Sequence, residues 1–343
     1  MDTQLGGRRP CGAGGAVPVL DSELAREYLP IFYFHPKEPF APLEVEKFLQ
    51  NCALYSPQGG LLAEDASDVH NVLQPGAAGV VRLRKGATYP TGDWTRPVIY
   101  YHVDRDHRHC APARPKKEGG PLVTSKRWLS VVYMLFYSYN PHGLFGLGDH
   151  IGDLEHVRLL INPDTAQVEW VFTSAHSHEG QYRPFAAHRP PASEAAAEAL
   201  KDTRGPPIYV ACGSHAHYER EGVVRRIFGA GNDRCSGEGT CATPGNAALF
   251  DVRERPWYGI HVTVRPRGPE LPGAPWWMLA CPERQDRAKR LMLKRLAPCC
   301  FSNEALSSHS HWGQVDWDAR GGYCYRKHEE DLLGAPASPG RRV

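Results

Sequence analysis

The stretch from 131 to 161, VVYMLFYSYNPHGLFGLGDHIGDLEHVRLLI, constrains the fold more than any other part of this 343-residue chain. Its pattern predicts a buried strand, a glycine-rich loop and a second strand. The first strand belongs to the run RWLSVVYMLFYSYN (127–140), which is apolar on both faces after Trp128. Strands of this kind are typical of a sheet that is covered on both sides. We therefore expect this strand to lie inside a sandwich or beneath a helix.

The second strand carries polar side chains at its start. Asp153 and Glu155 are two residues apart, so on a strand they share one face with the apolar residues that follow, Val157, Leu159 and Ile161. Two neighbouring carboxylates in an apolar setting repel each other unless a cationic group lies between them. His150 can add a neutral nitrogen, and a divalent cation with oxygen and nitrogen ligands is the simplest partner. A salt-bridged or solvated rim explains the same residues and stays open as the alternative.

Other segments carry histidines, glycines and acidic residues in a recognisable order. They are PIFYFHPKEPFAPLEVEKFL (30–49), GDLEHVRLLI (152–161), TSAHSHEGQY (173–182), PPIYVACGSHAHYEREG (206–222) and GAGNDRCSGEGTC (229–241). Together these segments resemble the vacuolar protein sorting-associated protein 62 family over most of residues 28–280. The central segment is also similar to the necrosis- and ethylene-inducing-like proteins, microbial cytolysins with the heptad G-H-R-H-D-W-E. Their shared H-x-x-D-x-E pattern falls on His150, Asp153 and Glu155.

The resemblance to the cytolysins implies a β-sandwich that holds a divalent cation, expected to be Ca or Mg, at these three positions. A further toxin aspartate is absent here, and the corresponding loop offers Asn140 or His142 as the fourth ligand. The family tryptophan is replaced by Leu154, whose side chain should face away from the two carboxylates. His142, His176 and His215 are expected to contact a cation ligand or a bound molecule. For His215, a buried structural histidine is the alternative.

Composition favours turns and short strands over long helices, because the chain has 34 glycines and 30 prolines. We predict an all-β fold, an antiparallel β-sandwich with a few peripheral helices, resembling the necrosis-inducing-like proteins. The expected organisation is a disordered tail over 1–22, one β-sandwich domain with helical insertions over 23–300, and a loosely ordered extension over 301–343.

Several local features accompany the sandwich. The sequence predicts a helix over 22–29 capped by Asp21 or Ser22, a helix over 42–52, a strand over 98–103, an exposed loop over 104–121 and a basic amphipathic helix within 275–298. Cys235 and Cys241 flank a glycine-rich loop, and a disulfide between them stays open.

Charge and hydropathy restrict the partners. The net charge is only +2, and no alternation of basic and aromatic residues marks a nucleic-acid surface. No run of about 18 apolar residues predicts a membrane span, and the first 20 residues lack the apolar segment of a secretory signal. We therefore expect a cytoplasmic protein that attaches peripherally to a vacuolar or endosomal membrane, with unknown protein partners.

Three hypotheses about function follow. The first is a divalent-cation-dependent module that binds a lipid headgroup or glycan, which the vacuolar protein sorting resemblance places in vacuolar or endosomal trafficking. The second is a metal-dependent hydrolase of phosphate or glycosidic esters, with His176 or His215 as the proton shuttle. No motif demands catalysis, so no residue is assigned a catalytic role. The third is a necrosis-inducing-like cytolysin.

Overall fold

The computed structural model describes residues 19–56, 58–73, 78–110, 125–141, 150–175, 181–225, 232–258 and 261–264. The strands are β1 Ile31–Phe34, β2 Cys52–Tyr55, β3 Leu61–Ala63, β4 Ala78–Leu83, β5 Val98–Cys110, β6 Ser125–Asn140, β7 His150–Asn162, β8 Gln167–Thr173, β9 Gln181–Pro184, β10 Pro207–Val210, β11 His217–Tyr218, β12 Gly222–Val224, β13 Asp233–Cys235, β14 Cys241–Ala242, β15 Ala248–Asp251 and β16 His261–Val264. The α-helices are α1 Asp21–Glu27, α2 Val45–Leu49, α3 Val69–Val72 and α4 Glu194–Glu198.

A six-stranded sheet in the order β15-β5-β6-β7-β8-β9 forms the centre of the fold. Strands β5 to β9 run antiparallel to their neighbours, and β15 lies parallel to β5. Along β6, Val131, Tyr133 and Leu135 enter one hydrophobic core, whereas Val132 and Met134 enter the other. The prediction that this strand is buried on both faces is therefore confirmed.

Two smaller sheets cover the central sheet. The sheet β16-β4-β2-β3 contributes to one core together with α2, and the sheet β11-β10-β1-β14 contributes to the other together with α1. The chain is thus mostly β-structure in a sandwich arrangement, as predicted. The antiparallel pattern is not complete, because β1 pairs with β10 and β16 pairs with β4 in parallel.

The prediction of a loop over 104–121 is wrong for residues 104–110, which form a strand. Strand β5 continues to Cys110, and the segment from 104 to 110 pairs with residues 125–130 of β6. Polar side chains do not prevent this extension, because the ladder of backbone hydrogen bonds satisfies the N–H and C=O groups whether or not a core covers the strand. The rest of the predicted loop lies outside the described residues.

The predicted helix over 42–52 is shorter than its amphipathic pattern suggested. Only α2 is helical, because the backbone before it is extended and Cys52 already belongs to β2. For α1, neither Asp21 nor Ser22 is the cap. Instead Leu20 is the N-cap residue, and its backbone N–H donates to the Glu23 carboxylate at 3.1 Å.

Cys235 and Cys241 are free thiols in the structure, so the disulfide that the sequence left open is not formed. Among the described residues, none of the helices has the length and apolar character needed to cross a bilayer. The amphipathic helix predicted within 275–298 lies outside the described residues.

Candidate functional site

The face of β7 that carries the acidic pair agrees with the sequence prediction. Val157, Leu159 and Ile161 enter the core beneath β1 and β10, and Leu154 enters the opposite core. Asp153 and Glu155 alternate with Leu154 and are nearly inaccessible, with 7% and 9% of their surface exposed. The two carboxylates therefore lie at the end of an otherwise apolar strand face.

The alternation of faces breaks at Gly152, which adopts a left-handed conformation with φ of +68°. Ile151 and Leu154 enter the same core although they are three residues apart. A regular strand would place them on opposite faces. Asn140, at the end of β6, lies on the face of the sheet that carries Asp153. Its Nδ2 donates to Asp153 Oδ2 at 3.0 Å, so the predicted ligand Asn140 does lie beside Asp153.

A second partner of Asp153 is the imidazole of His215. Its Nδ1 lies 2.9 Å from Asp153 Oδ2, and its Nε2 lies 3.2 Å from Glu38 Oε1. The ring of Tyr137 stacks on the imidazole in a parallel plane, with 3.7 Å between the centroids. His215 is completely buried, and through these contacts it joins β6, β7 and the segment that follows β1.

A strained turn between β10 and β11 presents His215. Gly213 has a φ of +77° and His215 has a φ of +54°, a region that β-carbon-bearing residues rarely occupy. The Gly213 N–H donates to Glu38 Oε2 at 2.5 Å, and the His215 N–H donates to the carbonyl of Ala211 at 3.0 Å. The carboxylate of Glu38 thus binds both the turn and the imidazole that the turn carries.

Glu155 has a different partner. Ser174 lies just after β8, and its hydroxyl donates a hydrogen bond to the Glu155 carboxylate. The Ser174 Oγ also accepts a hydrogen bond from the backbone N–H of His156 at 2.8 Å. Ser174 therefore fixes the second carboxylate from the neighbouring strand.

The charges of the cluster follow from these contacts. Burial lowers the pKa of His215, but the hydrogen bonds and charges of Asp153 and Glu38 outweigh it and raise that pKa to about 9. Burial, together with the charge of Asp153, raises the pKa of Glu155 well above its ordinary value. Burial opposes ionisation of Glu38, yet the contacts with His215 and Gly213 hold its pKa below its ordinary value. At neutral pH His215 is therefore an imidazolium, and the burial of Glu155 beside Asp153 opposes its ionisation.

A third acidic residue supports the turn. Asp233 is fully buried, and it accepts hydrogen bonds from Ser214 Oγ at 2.7 Å and from the Tyr218 hydroxyl at 2.5 Å. The Ser214 carbonyl in turn accepts from Asn140 Nδ2 at 3.2 Å. Asp233 is thereby connected to the acidic pair through Ser214 and Asn140.

Three buried polar atoms of the cluster lack hydrogen-bond partners among the described residues. They are Asn140 Oδ1, the hydroxyl of Tyr137 and His217 Nε2. Buried polar atoms in native proteins are nearly always satisfied, so each of these three atoms is a candidate contact for an ion or a water. Burial lowers the pKa of His217 to about 4, so this second histidine is neutral.

The structure describes the side chains of only some of the predicted site residues. The backbone of His150 pairs with Asn140, but its side chain is outside the described part, as are His142 and His176 altogether. Sequence reasoning missed Glu38 and Ser174. The signal for Glu38 was its carboxylate within the segment PIFYFHPKEPFAPLEVEKFL (30–49), which carries part of the family resemblance.

The side chains suit a hard divalent cation. Carboxylate and amide oxygens are the ligands that Ca and Mg prefer, and Asn140 Oδ1 is an amide oxygen without a hydrogen-bond partner in the described part of the chain. An imidazolium cannot ligate a metal, so His215 would instead hold Asp153 in place. Within the described residues, no group of three or more His, Cys, Asp or Glu side chains is arranged around a metal position. The side chain of His150 does not belong to these described residues.

The chain was then compared with known proteins. No protein family matches it by sequence, and no curated protein does. Several solved structures do match. They are necrosis and ethylene inducing proteins. The vacuolar protein sorting 62 resemblance finds no support in these comparisons.

The similarity to these structures is distant. Necrosis and Ethylene inducing Protein 2 from the causal agent of cocoa's witches' broom disease is 14% identical, with a TM-score of 0.29 over 68% of this chain and 76% of that chain. NLPPya, solved in complex with glucosamine, is 11% identical, with a TM-score of 0.31 over 66% and 72% of the two chains. The non-toxic HaNLP3 protein is 14% identical, with a TM-score of 0.30 over 68% and 77%.

Proposed function

We propose that this chain is a divalent-cation-dependent binding module for a sugar, with the cation held between Asp153 and Glu155. The observation that carries the proposal is the buried acidic pair beside the unpartnered amide oxygen of Asn140. A divalent cation at this position would receive oxygen ligands from all three side chains. It would also offset the effects of burial and of the Asp153 charge, which together raise the pKa of Glu155.

His150 and Asn140 complete the proposed ligand set, and Ca or Mg is the proposed cation. A cation bound at a strand end keeps positions open for a ligand from solution, and the hydroxyl groups of a sugar are suitable oxygen donors. A phosphate or sugar headgroup of a lipid offers the same chemistry. The role in vacuolar or endosomal trafficking and the attachment to those membranes stay predictions of the family resemblance.

The binding test uses the full chain and two amino sugars, glucosamine and mannosamine, in isothermal titration calorimetry. We expect binding in CaCl2 or MgCl2 that disappears in EDTA and in the Asp153→Asn and Glu155→Gln variants. Matched controls are Asp251→Asn and Glu46→Gln, which remove carboxylates that pair with Arg253 and Arg255 away from the site. Binding that persists unchanged in EDTA would overturn the proposal.

The necrosis-inducing-like cytolysin is the alternative function. The similar structures include necrosis inducing proteins and one protein described as non-toxic, so a shared fold does not decide toxicity. Release of a dye from vesicles that contain glycosylated sphingolipid tests this alternative. Cation-dependent release would favour the cytolysin, whereas sugar binding with intact vesicles would favour the binding module.

A further inference from the structure

A compact group of three aromatic side chains lies outside the acidic cluster. It consists of Phe40, Tyr89 and Tyr139, here called the aromatic platform. The rings of Tyr89 and Tyr139 stack with 4.3 Å between centroids and 11° between planes. Phe40 packs edge-on against both, at 5.8 Å from Tyr139 and 6.5 Å from Tyr89. All three residues are partly exposed, so solvent reaches the platform.

The platform lies at the same end of β6 as the acidic cluster. Tyr139 directly precedes Asn140, and the backbone N–H of Phe40 donates to Glu38 Oε1 at 3.0 Å. Phe40 packs against one core of the sandwich, whereas Tyr89 and Tyr139 pack against the other. The three rings therefore lie at the end of β6, next to Asn140 of the proposed ligand set and Glu38 of the acidic cluster.

The loop that carries Tyr89 is fixed to the segment after Phe40. The Ala41 N–H donates to Thr91 Oγ1 at 2.8 Å, and the Gly92 N–H donates to the Ala41 carbonyl at 3.1 Å. Gly92 approaches the chain so closely that an added Cβ would lie 1.9 Å from the Pro42 carbonyl oxygen. This anchoring holds the ring of Tyr89 in place before any ligand arrives, which limits the entropy lost on binding.

We propose that the aromatic platform is the stacking surface of a carbohydrate subsite, against which the apolar face of a pyranose ring packs. A pyranose presents polar hydroxyl edges and an apolar C–H face, so its site needs oxygen ligands and a rigid aromatic surface next to each other. Aromatic side chains supply large apolar contact area with few rotatable bonds. The acidic cluster supplies the polar half of the site, so this inference rests on the proposed function.

The test compares glucosamine with glucosaminitol, its reduced open-chain form, which keeps the amine and hydroxyls but lacks the ring. The variants are Tyr89→Leu and Tyr139→Leu, with Tyr89→Phe as the conservative replacement. Phe185→Leu is the matched control, because Phe185 is a partly exposed aromatic residue outside the platform. Sugar affinity is measured by calorimetry, ring contact by saturation-transfer difference NMR, and Ca affinity by a separate titration.

We expect both leucine variants to bind glucosamine about tenfold more weakly, a loss of about 1.4 kcal/mol, with unchanged Ca affinity. Tyr89→Phe and Phe185→Leu should bind as the parent does. Saturation transfer to the ring C–H protons should be strong in the parent and weak in the leucine variants, and glucosaminitol should not distinguish parent from variant.

Equal glucosamine binding in parent and leucine variants, with Ca binding intact, would overturn the platform and leave the proposed function standing. A parent that binds neither Ca nor glucosamine would overturn both. If a leucine variant unfolds, Tyr89→Phe together with the NMR contacts of the parent decides the question.

Discussion

Asp153 and His215 are 62 residues apart in the chain, yet their side chains meet at 2.9 Å in the interior of the sandwich. The same imidazole reaches Glu38 at 3.2 Å. Part of the negative charge at the end of β7 is therefore balanced by a histidine from a strained turn. The proposed cation would neutralise the remaining negative charge, next to Glu155.

Replacing His215 with Gln should destabilise the fold by about 3–5 kcal/mol, because it leaves buried carboxylates without their positive partner. The matched control is His188→Gln. His188 is also buried but makes one hydrogen bond, at 3.2 Å, to the Pro207 carbonyl, so about 1 kcal/mol is expected. Urea unfolding at pH 6 in EDTA measures both. A loss no larger for His215→Gln than for the control would contradict the buried ion network.

The stability of the parent should depend on pH through the same residue. The pKa of His215 rises from 6.5 to about 9 on folding, so the folded state binds its proton more tightly. Its contribution is fully present below pH 6.5 and is lost as the pH rises through 9, by about 3 kcal/mol. Glu155, whose pKa is also raised, acts in the same direction. In the His215→Gln variant, the free energy of unfolding should lose most of its dependence on pH between 6.5 and 9. A plot of this free energy against pH that stays parallel to that of the parent would refute the role of His215 as the titrating residue.

Tyr137→Phe and Tyr133→Phe remove hydroxyls in different settings. The Tyr137 hydroxyl is buried without a partner among the described residues, whereas the Tyr133 hydroxyl donates to the Ala25 carbonyl at 3.0 Å. We expect Tyr137→Phe to be neutral or slightly stabilising in EDTA and Tyr133→Phe to cost about 1 kcal/mol. Urea unfolding of the two variants checks this order, and the reverse order would show that the Tyr137 hydroxyl has a partner in solution.

Gly213→Ala should be more damaging than Gly86→Ala. Both glycines have positive φ, of +77° and +79°, so alanine is strained at each by about 1 kcal/mol. An added Cβ at Gly213 would lie 2.9 Å from the Pro141 carbonyl oxygen, whereas nothing lies within 4 Å at Gly86. The turn that carries His215 would shift, so we expect a larger loss of stability and weaker cation binding for Gly213→Ala alone. Equal effects in thermal unfolding and Ca titration would show that the turn tolerates the shift.

The periodicity of the sequence predicted the parts of the fold that depend on alternation. The shared face of Asp153 and Glu155 and the opposite position of Leu154 both follow from a period of two. The same reasoning could not place Asn140 beside Asp153, because the left-handed Gly152 changes the face without any signal in the apolar pattern.

Contacts between distant segments were beyond the reach of local patterns. Glu38 reaches His215 because β1 and β10 pair in parallel, and nothing in either segment alone specifies that pairing. The extension of β5 was missed for a related reason, since it depends on pairing with β6, which the segment from 104 to 110 does not specify by itself. The resemblance carried by the segment GSHAHY predicted that His215 contacts a cation ligand or a bound molecule; the structure shows its contacts with Asp153 and Glu38, and the role at a cation stays a prediction.

Metal analysis tests the central claim, that a divalent cation lies between Asp153 and Glu155, most directly. The purified full chain, its Asp153→Asn and Glu155→Gln variants and the Asp251→Asn control are dialysed against buffer with Ca and Mg and analysed by mass spectrometry of the bound metal. We predict stoichiometric Ca or Mg in the parent and in the control, and its loss in both site variants. Metal content that is the same in all four proteins, or absent from the parent, would contradict the account.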